Sequence, residues 1–428
     1  MQATLGQTLR DSLSVAEYRA QLAFRAGVHW IVSGSFKSAA LYLLAFDPVQ
    51  RTLNVASTID AYGPHQYLAT NAARDRLYAT TWASPPILSS WAVELQTTTS
   101  TDGTNDRSSS SSPSSDPAVI QGTPKLTHLN NADVFATSSY ISVTNSTIYS
   151  AGGPTAELHS IRSDGGFGEK IQQLQYVTDA EMATTDRTRK ALRVGSHGFD
   201  LTPDGHAFVP HLGRNSIYMY EQDKLTLQGK LHLLDEIVSP REKDGPRHVW
   251  PSRDGKLLYS ITEHTNYVDV YEIHSKTLKH IQSGSVVPAD VDRHDYRGNT
   301  LRLSRDGKYL FASTRGSSPS VKGYIAAFAL DSTGRLSETV DSSKAKDEAI
   351  PAVAYYETKT SCGIAGAIEP AFWKGSEGIH GQDYLIHVDE EAGFVNILGW
   401  SGELKSFKEI ASTKLPDGAS ASHAVWLS

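Results

Sequence analysis

From Trp30 onward, short runs rich in Val, Ile, Leu, Tyr and Phe alternate with Gly, Asp, Asn and Ser turns. Few stretches hold a helical period, so the pattern predicts an all-β chain. Two segments depart from it. Gln2 to Arg25 carries mixed apolar spacing (Leu9, Leu13, Val15, Tyr18, Leu22, Phe24), which suggests a helix at most. Thr97 to Pro117, TTTSTDGTNDRSSSSSPSSDP, is Ser/Thr-rich and has nothing to bury. It reads as a disordered surface insertion between strands.

Three segments repeat one pattern: HGFDLTPDGHAFVPHLGRNSIYMYE from His197, RHVWPSRDGKLLYSITEHTNYVDVYEI from Arg247, and NTLRLSRDGKYLFASTRGSSPSVKGYIAAFAL from Asn299. Each is an apolar strand, an Asp-Gly turn, a second strand, a loop and a third apolar strand. The turn aspartates Asp204, Asp254 and Asp306 lie 50 and 52 residues apart. A weaker copy, YLATNAARDRLYATTW, centres on Asp75, and ISVTNSTIYSAGG supplies the hairpin of another. WIVSGSFKSAALYLLAF from Trp30 enters its unit partway through, and DYLIHVDEEAGFVNILGW from Asp383 belongs to the last. About seven units of ~50 residues with three or four strands each are the signature of a β-propeller. The apolar C-terminal HAVWLS is expected to supply the strand the first blade lacks. Shared turn chemistry favours this over a pair of β-sandwiches. The expected organisation is an N-terminal extension over 1–26 and one seven-bladed propeller over 27–428, interrupted at 97–117.

Composition narrows the function. Hydrophobic residues are 39% and charged residues 20% of 428, as in a globular protein. A net charge of −7 argues against a nucleic-acid or anionic-membrane partner, both of which want a basic surface. A local arginine cluster can still hold a small anion. The single cysteine, Cys362, excludes an intrachain disulfide and any zinc site of several thiolates. No apolar run reaches the ~20 residues of a membrane span. The N-terminus has no basic stretch followed by an apolar core, so a cytoplasmic location is expected. The Asn145-Ser146-Thr147 sequon is then not glycosylated. There is no serine-nucleophile elbow, HExxH or CxxC.

The repeat itself locates the chemistry. Seven residues before each turn aspartate stand His197, Arg247 and Asn299, and nine after it stand Gly213, Glu263 and Arg315. A hairpin folds about its turn, so the two offsets are expected opposite one another at the end far from it, at one mouth of the central channel. His197, Arg247, Glu263 and Arg315 thus gather from three consecutive blades. Two guanidiniums, a carboxylate and an imidazole suit a polyanion with an acid/base pair, although polar residues at strand ends also form ordinary solvated rims. By strand alternation His264 is expected on the opposite face from Glu263. The loop Asp292, His294, Asp295, Tyr296 and Arg297 reads as solvated, with Tyr296 and Arg297 close enough to support the site.

These residues resemble a known family. Ser196-His197-Gly198-Phe199-Asp200, Gly245-Pro246-Arg247-His248-Val249 with Glu263, Tyr296-Arg297, and Gly307-Lys308-Tyr309-Leu310-Phe311-Ala312-Ser313-Thr314-Arg315 are similar to motifs of the fungal carboxy-cis,cis-muconate cyclases, the 3-carboxymuconate lactonizing enzymes. Gly323 to Phe328 and Ala424-Val425-Trp426 match further motifs. The resemblance is specific over 190–330 and faint before 190. It implies a seven-bladed propeller of the lactonase-like superfamily that includes bacterial 6-phosphogluconolactonases. It also implies a cofactor-free enzyme whose proposed site residues fall on His197, Arg247, Glu263 and Arg315. Two stretches depart. Ser361 to Ala367 lacks the His and Asn of the family's Gly-Gly-His-Ser-Asn-Ala, and His423 replaces an Asn before the closing motif.

The expected function is therefore a cycloisomerase of aromatic catabolism (the β-ketoadipate pathway) acting on a small polycarboxylate, with homo-oligomerisation left open. Arg247 and Arg315 would bind substrate carboxylates, and His197 and Glu263 would handle the proton. His197 is the expected donor, because a free imidazole titrates near neutrality and the arginines keep Glu263 ionised. The alternatives are a lactonase opening a sugar or muconate-type lactone, and a non-catalytic propeller that binds a protein.

Overall fold

The computed structural model describes residues 27–94, 123–184, 195–223, 229–337, 349–373 and 383–428. The expected N-terminal extension and the Ser/Thr-rich insertion lie outside them. The described chain forms seven sheets, the blades of a propeller, in which consecutive strands pair antiparallel. Blade 1 comprises Ala421–Trp426, His29–Ser35, Ala40–Asp47 and Thr52–Asp60, from the channel outward. Blades 2 to 7 follow in chain order, with innermost strands Leu68–Thr70, Tyr140–Val143, Asp200–Leu201, Pro246–Pro251, Tyr296–Leu303 and Ile368–Pro370.

The C-terminal strand closes the ring as the sequence suggests. Trp426 pairs with Ile31 and Val425 with Val32, and the Leu427 N–H donates to Trp30 O. Closure pairs the channel-side edge of His29–Ser35 and ties the chain's two ends into one blade.

The apolar runs have a simple cause. Inner and middle strands are covered on both faces by neighbouring blades, so Leu257–Thr262 is buried at every position. Between blades 4 and 5 pack Phe208, Met219, Val249 and Leu258; between blades 6 and 7 pack Phe311, Ile325, Leu398 and Trp400. Outermost strands have one covered face, and Thr52–Asp60 alternates accordingly.

Blade 5 differs from the four-stranded expectation. Chain returning from the third strand of blade 6 adds Ile350–Pro351 parallel to Leu278–Ser285. That strip covers part of an outer sheet edge. The turn aspartates point away from the candidate site and bond within their own turns. Ser252 Oγ donates to Asp254, Ser304 Oγ to Asp306, and the Lys308 N–H to Asp306.

Candidate active site

The four predicted residues do meet, by a route the simple hairpin argument did not anticipate. Position +9 lies opposite position −9: the Glu263 N–H donates to Gly245 O, and Arg315 pairs with Arg297. The −7 residue stands in a β-bulge. Register slips between Pro246 and His248 in blade 5, and between Gly298 and Leu301 in blade 6. A bulge re-aims side chains, and here it delivers Arg247 and Asn299 to the channel. Glycine is required at Gly298, where a Cβ would stand 2.2 Å from Thr262 O of blade 5.

Glu263 is the centre of the cluster. Arg315 Nη2 donates to its Oε1 at 2.8 Å, and Arg247 Nε to its Oε2 at 3.2 Å. Arg315 Nη1 also donates to Ile364 O of blade 7 at 3.0 Å. Arg247 Nη1 donates to Asn299 O and to His248 Nε2. Burial would raise the Glu263 carboxyl, but Arg315 and Arg247 outweigh it and hold it down at about 2. Burial lowers the Arg247 guanidinium only to about 10, so it stays charged.

His197 corrects the argument from its free titration. Burial, joined by Arg247, pushes the imidazole down to about 3. At neutral pH the unliganded protein therefore holds it neutral. It cannot act as an acid in that state, and a bound anion nearby would raise its proton affinity.

These groups line a cavity of about 540 Å³ to which all seven blades contribute. Phe36, Gln66 and Ser139 come from the first three blades, and Gly363 and Ile364 from the last. Arg297 also lines it, half-buried, with Nη1 donating to Tyr296 O and His294 O. Three arginines thus face one glutamate. Tyr296 is buried against Tyr324 and does not line the cavity. His264 lies in it, against expectation. It falls just past the strand end at Thr262, where alternation no longer applies. Among the described residues no three His, Cys, Asp or Glu gather as metal ligands would.

The two departures separate. The Ser361–Ala367 segment reaches the cavity through Gly363 and Ile364. His423 does not: it stacks on Tyr67 with ring centroids 3.8 Å apart and lines a second cavity at the opposite mouth.

Gln66 and Trp82 were missed, and a signal existed. In blades 5 and 6 the residue two before the turn aspartate donates its N–H back across the hairpin, Ser252 to Leu257 O and Ser304 to Tyr309 O. In blade 2 that bond is Asn71 to Arg76 O, so the position equivalent to Asp254 is Ala73, not Asp75. Counted from Ala73, Gln66 is the counterpart of Arg247, and Trp82 that of Glu263. The Trp82 N–H bonds Pro64 O just as Glu263 bonds Gly245.

The sequence profile of the family described as lactonase, 7-bladed beta-propeller, matches residues 30–348. The chain belongs to that family. It is 29% identical over 392 residues to the muconate cycloisomerase 1 of Cutaneotrichosporon cutaneum, covering 90% of this chain and 94% of that protein. It is 24% identical over 243 residues to the carboxy-cis,cis-muconate cyclase of Neurospora crassa, covering 54% of this chain and 60% of that one. The periplasmic gluconolactonase of Pseudomonas aeruginosa superposes with a TM-score of 0.70 at 16% identity, over 94% of this chain and 99% of that one. That likeness speaks for the fold alone.

Proposed function

We propose that this lactonase-family propeller is a cofactor-free cycloisomerase that closes 3-carboxy-cis,cis-muconate, or a close analogue, to a muconolactone. The observation that carries the reading is the set of three guanidiniums around one carboxylate, lining one cavity with an imidazole. The similarity to a relative named muconate cycloisomerase, over most of both chains, supports it.

The chemistry follows from charge. One substrate carboxylate oxygen forms a C–O bond to the γ carbon. The π pair of that double bond moves to the carbon α to another carboxylate, and this carbon takes a proton. Arg247 and Arg315 hold carboxylates and stabilise the charge that builds on the acceptor carboxylate. His197 supplies the proton and is recharged by solvent. Glu263 pins both arginines and stabilises the imidazolium. Binding makes this feasible, because a carboxylate ~4 Å from the ring contributes ~4 kcal/mol at an effective dielectric of 20, about a thousandfold in proton affinity.

A lactonase is the second reading, and one observation favours it: a neutral imidazole is suited to take a proton from water. The sign of proton release separates the two. Cyclisation of the trianion consumes one proton per turnover, whereas hydrolysis of a lactone releases one. In weakly buffered solution with 3-carboxymuconate, loss of the diene absorbance together with alkalinisation is expected. Inert 3-carboxymuconate with acidification by a lactone means the hydrolase. Turnover of neither acid nor lactone leaves the protein-binding reading.

A further inference from the structure

Beneath the main cavity lies a second one of about 10 Å³, the room of a single water. His197 and Gln66 line both cavities, and Asn299 lines the small one. Three buried polar atoms in this lining have no hydrogen-bond partner among the described residues: His197 Nδ1, Gln66 Oε1 and Asn299 Nδ2. Leaving such atoms unpaired costs ~1–3 kcal/mol each. Three at one water-sized space indicate an occupant rather than three separate defects.

The neighbours fix the orientation of Asn299. Its Oδ1 accepts from Thr300 Oγ1 at 3.1 Å and from Arg247 Nη1 at 3.3 Å, so its amide NH₂ is the end left over. Gln66 contributes an acceptor. A water accepting from Asn299 and donating to Gln66 keeps one hydrogen and one lone pair, and either matches His197 Nδ1.

We propose that Gln66 and Asn299 are positioning residues that hold one buried water against His197 Nδ1, setting the ring's orientation and proton affinity from behind while its other edge serves the main cavity. The catalytic consequence rests on the cycloisomerase reading; the water site itself does not. Gln66 and Asn299 are blade 2 and blade 6 counterparts of His197, so three equivalent ring positions share one ligand. The charged and titratable groups facing His197 are Arg247, Glu263 and His248 from blade 5 and Arg315 from blade 6.

Two measurements without substrate test the site. A crystal structure of the whole protein that resolves ordered waters is expected to show one within hydrogen-bond distance of all three atoms. Density there that is absent, or side chains paired directly with one another, overturns the proposal. NMR titration of His197 gives the second. Gln66→Glu places a carboxylate on the water and is expected to raise the imidazole's proton affinity at least tenfold, while Gln66→Leu does not raise it. An unmoved titration in folded Gln66→Glu overturns the link. Turnover then separates this proposal from the function. With 3-carboxymuconate as substrate, Gln66→Leu is expected to lower kcat about 10–100-fold, as removal of supporting partners does at metal-bound histidines, with KM little changed. If the water and the NMR shift are found but no turnover exists, the cycloisomerase reading fails and the water site stands.

Discussion

The channel has two mouths of similar size, about 540 Å³ where His197 sits and about 630 Å³ opposite. Both hold a buried arginine beside a glutamate, so neither volume nor composition tells them apart. The hydrogen-bond accounting does. At the opposite mouth Arg302 donates to Glu369 at 2.9 Å, to Leu301 O and to the Tyr67 hydroxyl, and lies over Trp250. Tyr140 there donates to Asp200 at 2.8 Å. Each of the three guanidinium nitrogens of Arg302 makes a bond, and the group serves the fold. At the His197 mouth two arginines share one carboxylate, Arg315 Nε has no partner among the described residues, and Arg297 bonds backbone oxygens only. Net positive charge, with Arg297 facing the cavity and paired to no carboxylate among the described residues, is what an anionic substrate needs.

The largest effect expected from breaking this contrast is on turnover. His197→Asn keeps a similar shape and removes the titrating group. It should lower kcat on 3-carboxymuconate by ~10²–10⁴-fold, the share of general acid–base catalysis, with KM within a few-fold. Steady-state kinetics decides. A variant within threefold of wild type would remove His197 from the proton transfer.

At the opposite mouth the cost should fall on stability instead. Arg302→Leu strips the partner from Glu369 and should destabilise by ~3–5 kcal/mol, as breaking buried ion pairs does. Denaturant unfolding measures it. The kcat/KM of the molecules that remain folded should stay within about twofold, since Arg302 lines neither cavity at the other mouth and reaches the small one only through its partner Tyr67. A selective loss of kcat would mean that the two mouths are coupled.

The sequence made some of this contrast legible and hid the rest. Repeats anchored on Asp204, Asp254 and Asp306 placed His197, Arg247, Glu263 and Arg315 at one mouth, because blades 5 and 6 share turn length, bulge and aspartate. In blade 2 the turn aspartate is displaced by two residues, so counting from Asp75 passes over Gln66 and Trp82. The bulges themselves were invisible. A slipped register leaves no mark in an apolar run, and only the partnering of Thr262 with Pro246 rather than Arg247 reveals it. The protonation state of His197 was equally hidden, since it depends on burial that seven blades create together.

Asp200 allows a pH test of the opposite mouth. Burial raises its carboxyl to about 7, against the opposing pull of Arg302. An unfolded aspartate titrates near ~3.9. The folded state thus binds the proton more tightly, so this group's contribution to stability is full below pH ~4 and is lost as pH rises towards 7. Asp200→Asn should remove that loss and gain on the order of 2–4 kcal/mol at pH 8 relative to wild type, with little gain at pH 4. Thermal unfolding at the two pH values checks it. A variant that keeps the wild-type pH slope would show that Asp200 is ionised in the fold.

The smallest effect concerns substrate choice. Arg297 lines the His197 cavity and makes no ion pair among the described residues, whereas Arg247 and Arg315 are both committed to Glu263. Burial lowers its guanidinium, with Glu263 opposing, and a substrate carboxylate would relieve that. The site's own charges, three arginines against one glutamate, balance a dianion with His197 neutral. A trianion brings one charge more, matched when His197 takes a proton. Arg297 is the cation best placed for the additional carboxylate of 3-carboxymuconate. Arg297→Ala removes a charge-assisted hydrogen bond worth ~1.5–3 kcal/mol and should raise KM for the tricarboxylate roughly 10–100-fold, leaving kcat nearly unchanged. For cis,cis-muconate, which lacks that carboxylate, the increase should be about threefold or less, reflecting only the lost long-range charge. Parallel kinetics with the two acids measures the difference. An equal loss for both would make Arg297 a general attractor, and no loss for either would return it to the solvated rim.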